Sequence, residues 1–508
     1  MSMNDQGQSA LNSMPLVTNR RTTDEKSPLK NTIARKSAEI NKDAIEDLNA
    51  EEEYIPATPL VATAAAAPIH SFKRVHCTPV HIQSGPSPLS TEADGGNYRG
   101  FINLTILLLV VNMLRLVIEN MKKYGILLSI PGKQVPLKDY GSFFSCLLVI
   151  LVCVLIAWTS EQLCLLRAKN ILHKRKTGIL SLFAVELIFV NVTLLLILPA
   201  WIIWTHAYHP VTGFITLLTS LTLTMKLVSY HVVNHELRRL YTSPKKEDQD
   251  TLKALYPECV YPDNLSLENI FYFWSAPTLC YQPTYPRIPK IRKMFLLKRL
   301  CEAASAVVGM YVMIEQYAVP TVRNSLKPMD EADWVQLIER ILKLSTTSLY
   351  VWLLGFYAFF HSCLNATAEI LRFGDRGFYK DWWNAQTIDE YWRLWNAPVH
   401  FWLKRHVYIP LRSAGYSPFF SSLVIFGLSA IGHEYLVAVS THLVLGWALG
   451  AMLVQIPLIT ITRWYMSTWP KSSFGNYFFW VTFCILGMPT CVLFYYRAWI
   501  QKEAIGLM

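Results

Sequence analysis

About nine stretches of roughly twenty predominantly apolar residues recur between Phe101 and Tyr496, and each is long enough to cross the hydrocarbon core of a bilayer as a helix. They are Phe101–Ile118, Ser142–Trp158, Ile179–Trp204, Val211–Ser229, Ala304–Val319, Leu342–Phe360, Pro418–Val439, Leu443–Thr462 and Tyr477–Tyr496. The fifth is the weakest, because Glu315 lies inside it and Pro320 ends it. A chain of 508 residues that is 52% hydrophobic and only 16% charged is too apolar for a soluble protein. The expected fold is an all-α polytopic membrane protein.

Charge orients the spans, because Lys and Arg near span ends stay on the cytoplasmic side. The amino-terminal segment, with Lys73, Arg74 and Arg99, shares a side with three basic loops: Arg167 to Lys176, His231 to Arg299, and Arg372 to Arg412. The intervening loops are shorter or poorer in basic residues. The amino terminus is therefore expected in the cytosol and, with nine spans, the carboxyl terminus across the membrane. The net charge of +11 then reflects topology and attraction to anionic surfaces, and no nucleic-acid partner is expected. Ten cysteines are scattered without a CxxC pair, which suggests neither a disulfide framework nor a zinc site.

Residues 1–96 are rich in Ser, Thr, Asn, Ala and Pro with mixed charge and no sustained apolar period, and read as a disordered cytosolic tail. Residues 97–508 read as one membrane domain. Two loops within it are too long to be mere connections. His231 to Arg299 is dense in Tyr, Trp, Pro and basic residues, a composition suited to packing along the membrane interface. Arg372 to Tyr416 carries Trp382, Trp383, Trp392, Trp395 and Trp402, which a membrane-surface helix explains as interfacial anchors. That explanation leaves out Asp381, Asn384, Asn396 and His400, which need hydrogen-bond partners in a partly dry setting.

His433, beside Glu434, interrupts an otherwise uncharged apolar run from Pro418 to Val439. An ionisable side chain at membrane depth is costly and points to function; the alternative is a histidine hydrogen-bonded between packed helices. A neutral imidazole there suits removal of a proton from a lipid-dissolved hydroxyl, and acyl transfer from a thioester to a lipid alcohol fits this geometry. His433 would be the general base, and an amide such as Asn396 would steady the imidazole or a developing oxyanion. No serine or cysteine stands in a G-x-S-x-G setting, so direct attack is expected over an acyl-enzyme. No metal and no cofactor is expected.

The strings FYKDWWN (Phe378, Tyr379, Lys380, Asp381, Trp382, Trp383, Asn384), WNAPVHFW and GHEYLV resemble the membrane-bound O-acyltransferase family, in the branch that holds the sterol and diacylglycerol acyltransferases. NYRGFIN, ENMKKYGIL, YPDNL, APTLCYQPTYPRIPKIRK and FHSCLNATAE point within that branch to the diacylglycerol side, and the resemblance runs over nearly everything from Asn97 to Tyr496. It implies an endoplasmic-reticulum enzyme that moves an acyl group from acyl-CoA, its co-substrate, to diacylglycerol and makes triacylglycerol. It further implies about nine transmembrane helices around an intramembrane reaction chamber, contact with membrane lipid, and a homodimer or homotetramer. His433 matches the catalytic base, with Asn396 and Trp395 beside it. Glu434, Gln455 and Met452 match chamber positions, His400 matches a histidine of the WN string, and FYKDWWN would lie at the cytosolic mouth of the acyl-CoA tunnel.

One position departs from the resemblance. Where a glutamine is expected after glycine in the last span, the chain has Gly487, Met488 and Pro489. A thioether cannot donate and accepts poorly, so one contact to acyl-CoA is absent or supplied elsewhere. Sterol acylation by the same branch is the alternative. A proton-coupled carrier using His433 and Glu434 is a more distant one, since no paired halves with interrupted spans are found.

Overall fold

A computed structural model describes residues 99–129, 135–173, 183–207, 209–470 and 472–504. The tail expected over residues 1–96 and the basic run Lys174 to Lys176 lie outside the described residues. All contacts below fall within the compact unit Phe101–Met508.

Among the described residues the chain is helical throughout, with a single isolated bridge between Arg287 and Phe373. The four first long helices are α1 (Arg99–Tyr124), α2 (Leu137–Leu172), α3 (Ala184–His206) and α4 (Pro210–Thr242). Two short helices follow, α5 (Lys246–Leu255) and α6 (Leu267–Ser275). Next come α7 (Lys293–Met313) and α8 (Trp334–Phe356), the latter continued to Ile370 through a π-helical turn. A surface-loop pair, α9 (Ile388–Leu394) and α10 (Ala397–Leu403), leads to α11 (Pro418–Thr441) and α12 (Trp447–Thr468). The last helix, α13 (Phe474–Lys502), also contains a π-helical segment, Trp480–Gly487.

Among the described residues, seven helices are long and apolar enough to cross a membrane: α1, α2, α3, α4, α8 with its continuation, α11 and α13. The other two expected spans are also helical, in α7 and α12, but are not among the seven. α7 carries Lys293, Lys298, Arg299 and Glu302 in its first turns, and α12 holds Pro457 and Arg463.

Helices in lipid satisfy their own backbones, so polar side chains become the ties between them. Asn191 on α3 donates to the Cys153 carbonyl on α2 at 2.9 Å, and Ser220 on α4 donates to Leu195 O at 2.5 Å. Glu161 on α2 is fully buried and binds both His231 and Arg238 of α4. Lys226, at mid-span in α4, donates to the carbonyls of Phe273, Trp274 and Ala276 at 3.0, 2.7 and 2.6 Å. Its three ammonium protons thus serve the C-terminus of α6, whose last carbonyls lack helical partners.

The loop before α7 is packed into the bundle. Tyr261, Leu265, Ile270, Phe273 and Tyr281 are buried in a core shared with α2 and α4. The aromatic hydroxyls make this burial possible: Tyr281 OH donates to Asn269 and receives from Asn264. Trp158 and Gln162 both donate to the Leu265 carbonyl.

His406 shows how tightly the two long loops meet. Its Nε2 sits 2.8 Å from Ser229 Oγ, which itself accepts the Tyr281 N–H. Burial, helped by the neighbouring Arg405 charge, lowers its pKa to about 4. A histidine held neutral in the fold and free to charge when unfolded contributes stability above its unfolded pKa of about 6.5. That contribution is lost as pH falls from there toward 4. The thermal unfolding midpoint in detergent is therefore expected to drop over this window, and His406→Gln, which keeps a neutral acceptor, should flatten that part of the profile. An unchanged pH profile in the variant would refute it.

Candidate active site

A cavity of about 900 Å³ lies between α11, α12 and α13. Each helix gives it one stripe at helical spacing: His433, Val437 and Thr441 from α11; Ala448, Ala451, Met452 and Gln455 from α12; Met488, Cys491, Tyr495 and Trp499 from α13. Trp392 of α9 lines it on the side of the FYKDWWN loop, and Pro136, His209, Pro210 and Val211 line it at the opposite end.

The imidazole of His433 is exposed in this cavity. Its Nδ1 lies 2.7 Å from the carbonyl of Ser429, one turn back on α11. A carbonyl can only accept, so Nδ1 carries the proton and Nε2 holds the lone pair. The helix itself fixes the tautomer that can take up a proton.

Glu434 faces the other way. Its carboxylate accepts from the backbone N–H groups of Gly446 at 2.7 Å and Leu449 at 3.1 Å, and from Tyr495 OH at 3.3 Å. It caps the start of α12, where Gly446 adopts a left-handed conformation with φ 73°. The cavity is lined by its neighbour His433 and by Tyr495, which it orients. Gln455 and Met452 both line the cavity. The Gln455 amide donates to Ala451 O at 3.2 Å, with its second N–H left for other partners. Met488 also lines it, so the departure from the expected glutamine falls in the cavity wall.

FYKDWWN and the WN string are knitted together beside this cavity. The Phe378 carbonyl accepts from Ala397 N at 3.0 Å, and Lys380 N donates to Leu394 O at 2.8 Å. Phe378 and Trp382 are 2% exposed, so Trp382 is no interfacial anchor. It packs against Trp352 and Phe356 of α8 and Trp480 of α13, and Trp395 stacks on Trp352. Trp383, Asp381 and Asn384 are exposed. Tyr379 OH meets His361 Nδ1 at 2.6 Å, and the other nitrogen of that ring meets Arg299. Buried Glu369 binds Arg292 and Arg376 and so ties α7 to the loop that enters FYKDWWN.

Asn396 does not line the cavity. It is the N-cap of α10, its Oδ1 accepting from Val399 N at 3.3 Å. His400, on the same helix, has its pKa lowered by burial and by the charges of Lys404, Arg393 and Lys380. Losing the cap in Asn396→Ala should cost about 1 kcal/mol. Asn396→Asp, which still caps, should restore stability, and failure of that rescue in thermal unfolding would show that the amide does something other than cap.

Reading the sequence missed Trp392, Val437, Thr441, Tyr495 and Trp499 as cavity residues. The i, i+4, i+8 stripe through His433 was the available signal.

A membrane-embedded, all-helical bundle with an exposed imidazole in a largely apolar cavity is a setting suited to lipid acyl transfer. Residues 187–498 match the model of the membrane-bound O-acyltransferase family, and the chain belongs to that family of O-acyltransferases. It is similar to diacylglycerol O-acyltransferase 1 of Dictyostelium discoideum, with 38% identity over 82% of this chain. The match spans 65% of that relative's length. It is likewise similar to diacylglycerol O-acyltransferase 1B of Glycine max, at 40% over 84% of this chain and 82% of the relative. Diacylglycerol O-acyltransferase 1 of Chlorocebus aethiops is 37% identical over 80% of this chain and 81% of the relative.

Proposed function

We propose that this protein transfers the acyl group of acyl-CoA to the free hydroxyl of 1,2-diacylglycerol, making triacylglycerol and CoA. The observation that carries the mechanism is the His433 imidazole, exposed in an apolar cavity with its Nδ1–H donating to Ser429 O, which leaves the lone pair on Nε2. Nε2 takes the hydroxyl proton as the alcohol oxygen attacks the thioester carbonyl. The tetrahedral intermediate then expels the CoA sulfur, which leaves with the proton returned by the imidazolium. The amide of Gln455, in the cavity wall, is placed to donate to the developing oxyanion. The acyl-CoA is a co-substrate and no cofactor takes part.

Several further assignments belong to this reading. The end of the bundle bearing FYKDWWN and the basic loops faces the cytosol with the amino terminus, and the membrane is that of the endoplasmic reticulum. Asn396 acts as a positioning residue of the WN string. Assembly is as a homodimer or homotetramer.

The choice of diacylglycerol over sterol rests on the names of the similar proteins. The test is purified protein with labelled oleoyl-CoA, offered diacylglycerol or cholesterol in parallel. Labelled triacylglycerol is expected; cholesteryl ester alone, or neither product, would overturn the reading.

A further inference from the structure

The FYKDWWN loop is fastened from outside as well as from within. At its end the carbonyls of Trp383 and Ala385 both accept from one side-chain nitrogen, Nδ2 of Asn476 in the first turn of α13, at 3.0 and 2.9 Å. An amide nitrogen carries two N–H groups, and here each serves one carbonyl. The residue before it, Gly475, is buried, and a Cβ at that position would lie 2.0 Å from the carbonyl oxygen of Gln386. No side chain fits there, so only glycine lets α13 come this close to the next peptide of the loop.

Beyond this contact the chain runs directly into α9. Thr387 is the N-cap of α9, and the Glu390 carboxylate accepts from the Gln386 N–H at 2.8 Å, so the fastened peptide and the helix form one hydrogen-bonded unit. α12 holds the same helix from a second side: Arg463 donates to both carboxylate oxygens of Asp389, at 2.9 and 2.8 Å. One turn further along α9 stands Trp392, which lines the cavity and meets Phe483 of α13 edge-on with ring centres 6.2 Å apart. A chain of direct contacts thus runs from the first turn of α13, through the end of FYKDWWN, to the cavity wall.

Of the two substrates, the donor carries CoA, a water-soluble polyanion that stays outside lipid, whereas the acceptor is dissolved in it. Around α9 and the adjoining α10, Lys380, Arg393 and Lys404 bring their charges to bear on His400. Resting on the acyl-transfer reading above, we propose that Gly475 and Asn476 are positioning residues for acyl-CoA, which hold the end of FYKDWWN against α13 and so set Trp392 in the cavity wall where the donor passes. They act on donor binding and not on the proton transfer. The tautomer of His433 is fixed within α11 by Ser429, so it does not depend on this fastening.

The experiment is steady-state kinetics of the full-length protein with labelled oleoyl-CoA and dioleoylglycerol, each varied in turn, beside the thermal unfolding midpoint. Asn476→Asp has the size of asparagine but no N–H to donate, and should raise KM for oleoyl-CoA about tenfold, in keeping with the two hydrogen bonds lost. Asn476→Ala should do the same. In both, kcat should stay within about threefold of wild type and KM for dioleoylglycerol should not move, since what is lost is donor binding. Gly475→Ala, which pushes α13 off the loop, should raise KM for oleoyl-CoA further; if that variant does not fold, the two Asn476 variants decide alone. A merely structural contact would lower the unfolding midpoint and the apparent kcat and leave KM where it was. That outcome, or a rise in KM for dioleoylglycerol instead of oleoyl-CoA, would overturn the assignment. Absence of triacylglycerol from the wild type under every condition would instead sink the acyl-transfer reading itself.

Discussion

A His433→Ala variant is expected to fold, to bind acyl-CoA and to make triacylglycerol about 10²- to 10⁴-fold more slowly, the range for loss of a positioned general base. The expectation of intact folding has a structural reason. The hydrogen bonds of this imidazole run to Ser429 of its own helix, and its ring is exposed in the cavity, so alanine removes no tie between helices. Turnover and stability should therefore separate: the unfolding midpoint and acyl-CoA binding stay near wild type while kcat falls. His433→Gln, which keeps polarity but cannot take up a proton, should be about as slow. Activity within a few-fold of wild type in either variant would remove His433 from the reaction.

Glu369→Ala is expected to be the most destabilising single change near the site. The carboxylate is fully buried at the end of the α8 continuation. It accepts from Arg292 N at 2.6 Å, Arg292 Nη2 at 2.8 Å and Arg376 Nη2 at 2.5 Å. Removing one member of a buried ion pair costs about 3–5 kcal/mol, because the partner charge is left desolvated. The Arg376 side chain is 18% exposed but that of Arg292 is 52% exposed and can turn to water, which sets the expectation at about 3 kcal/mol. Arg376 lies two residues before Phe378, so the loss should also loosen FYKDWWN and lower activity. Glu369→Gln keeps the shape without the charge and should fall between wild type and alanine. Tryptophan fluorescence during thermal unfolding reads the effect, and an unchanged midpoint in Glu369→Ala would refute it.

The contrast between His433 and Glu434 marks how far sequence reading reaches. Both stand out as ionisable groups in an apolar run, and that is a property of composition along one dimension. Only the packing of α11 against α12 assigns them opposite duties, one facing the cavity and one capping a helix start. Lys226 is similar: its partners are carbonyls of α6, some fifty residues away in the chain. Trp382 and Asn396 are legible as members of a motif, but their local duties, core packing and helix capping, come from the tertiary structure. A tryptophan in an interfacial loop and one in an aromatic core have the same sequence signature, as do a capping amide and a catalytic one.

What the amino-acid order determines unaided is the class of fold. Crossing a bilayer requires a sufficient unbroken apolar length, and length is read directly from a sequence. Family motifs added the reaction class. The cavity was decided by tertiary structure alone, because in a membrane the wall of a substrate tunnel and the surface facing lipid are built from the same apolar residues. Val437 and Leu428 look alike in sequence, yet one lines the cavity and the other is exposed on the outside of the helix. Only the arrangement of α11, α12 and α13 around a common space distinguishes them.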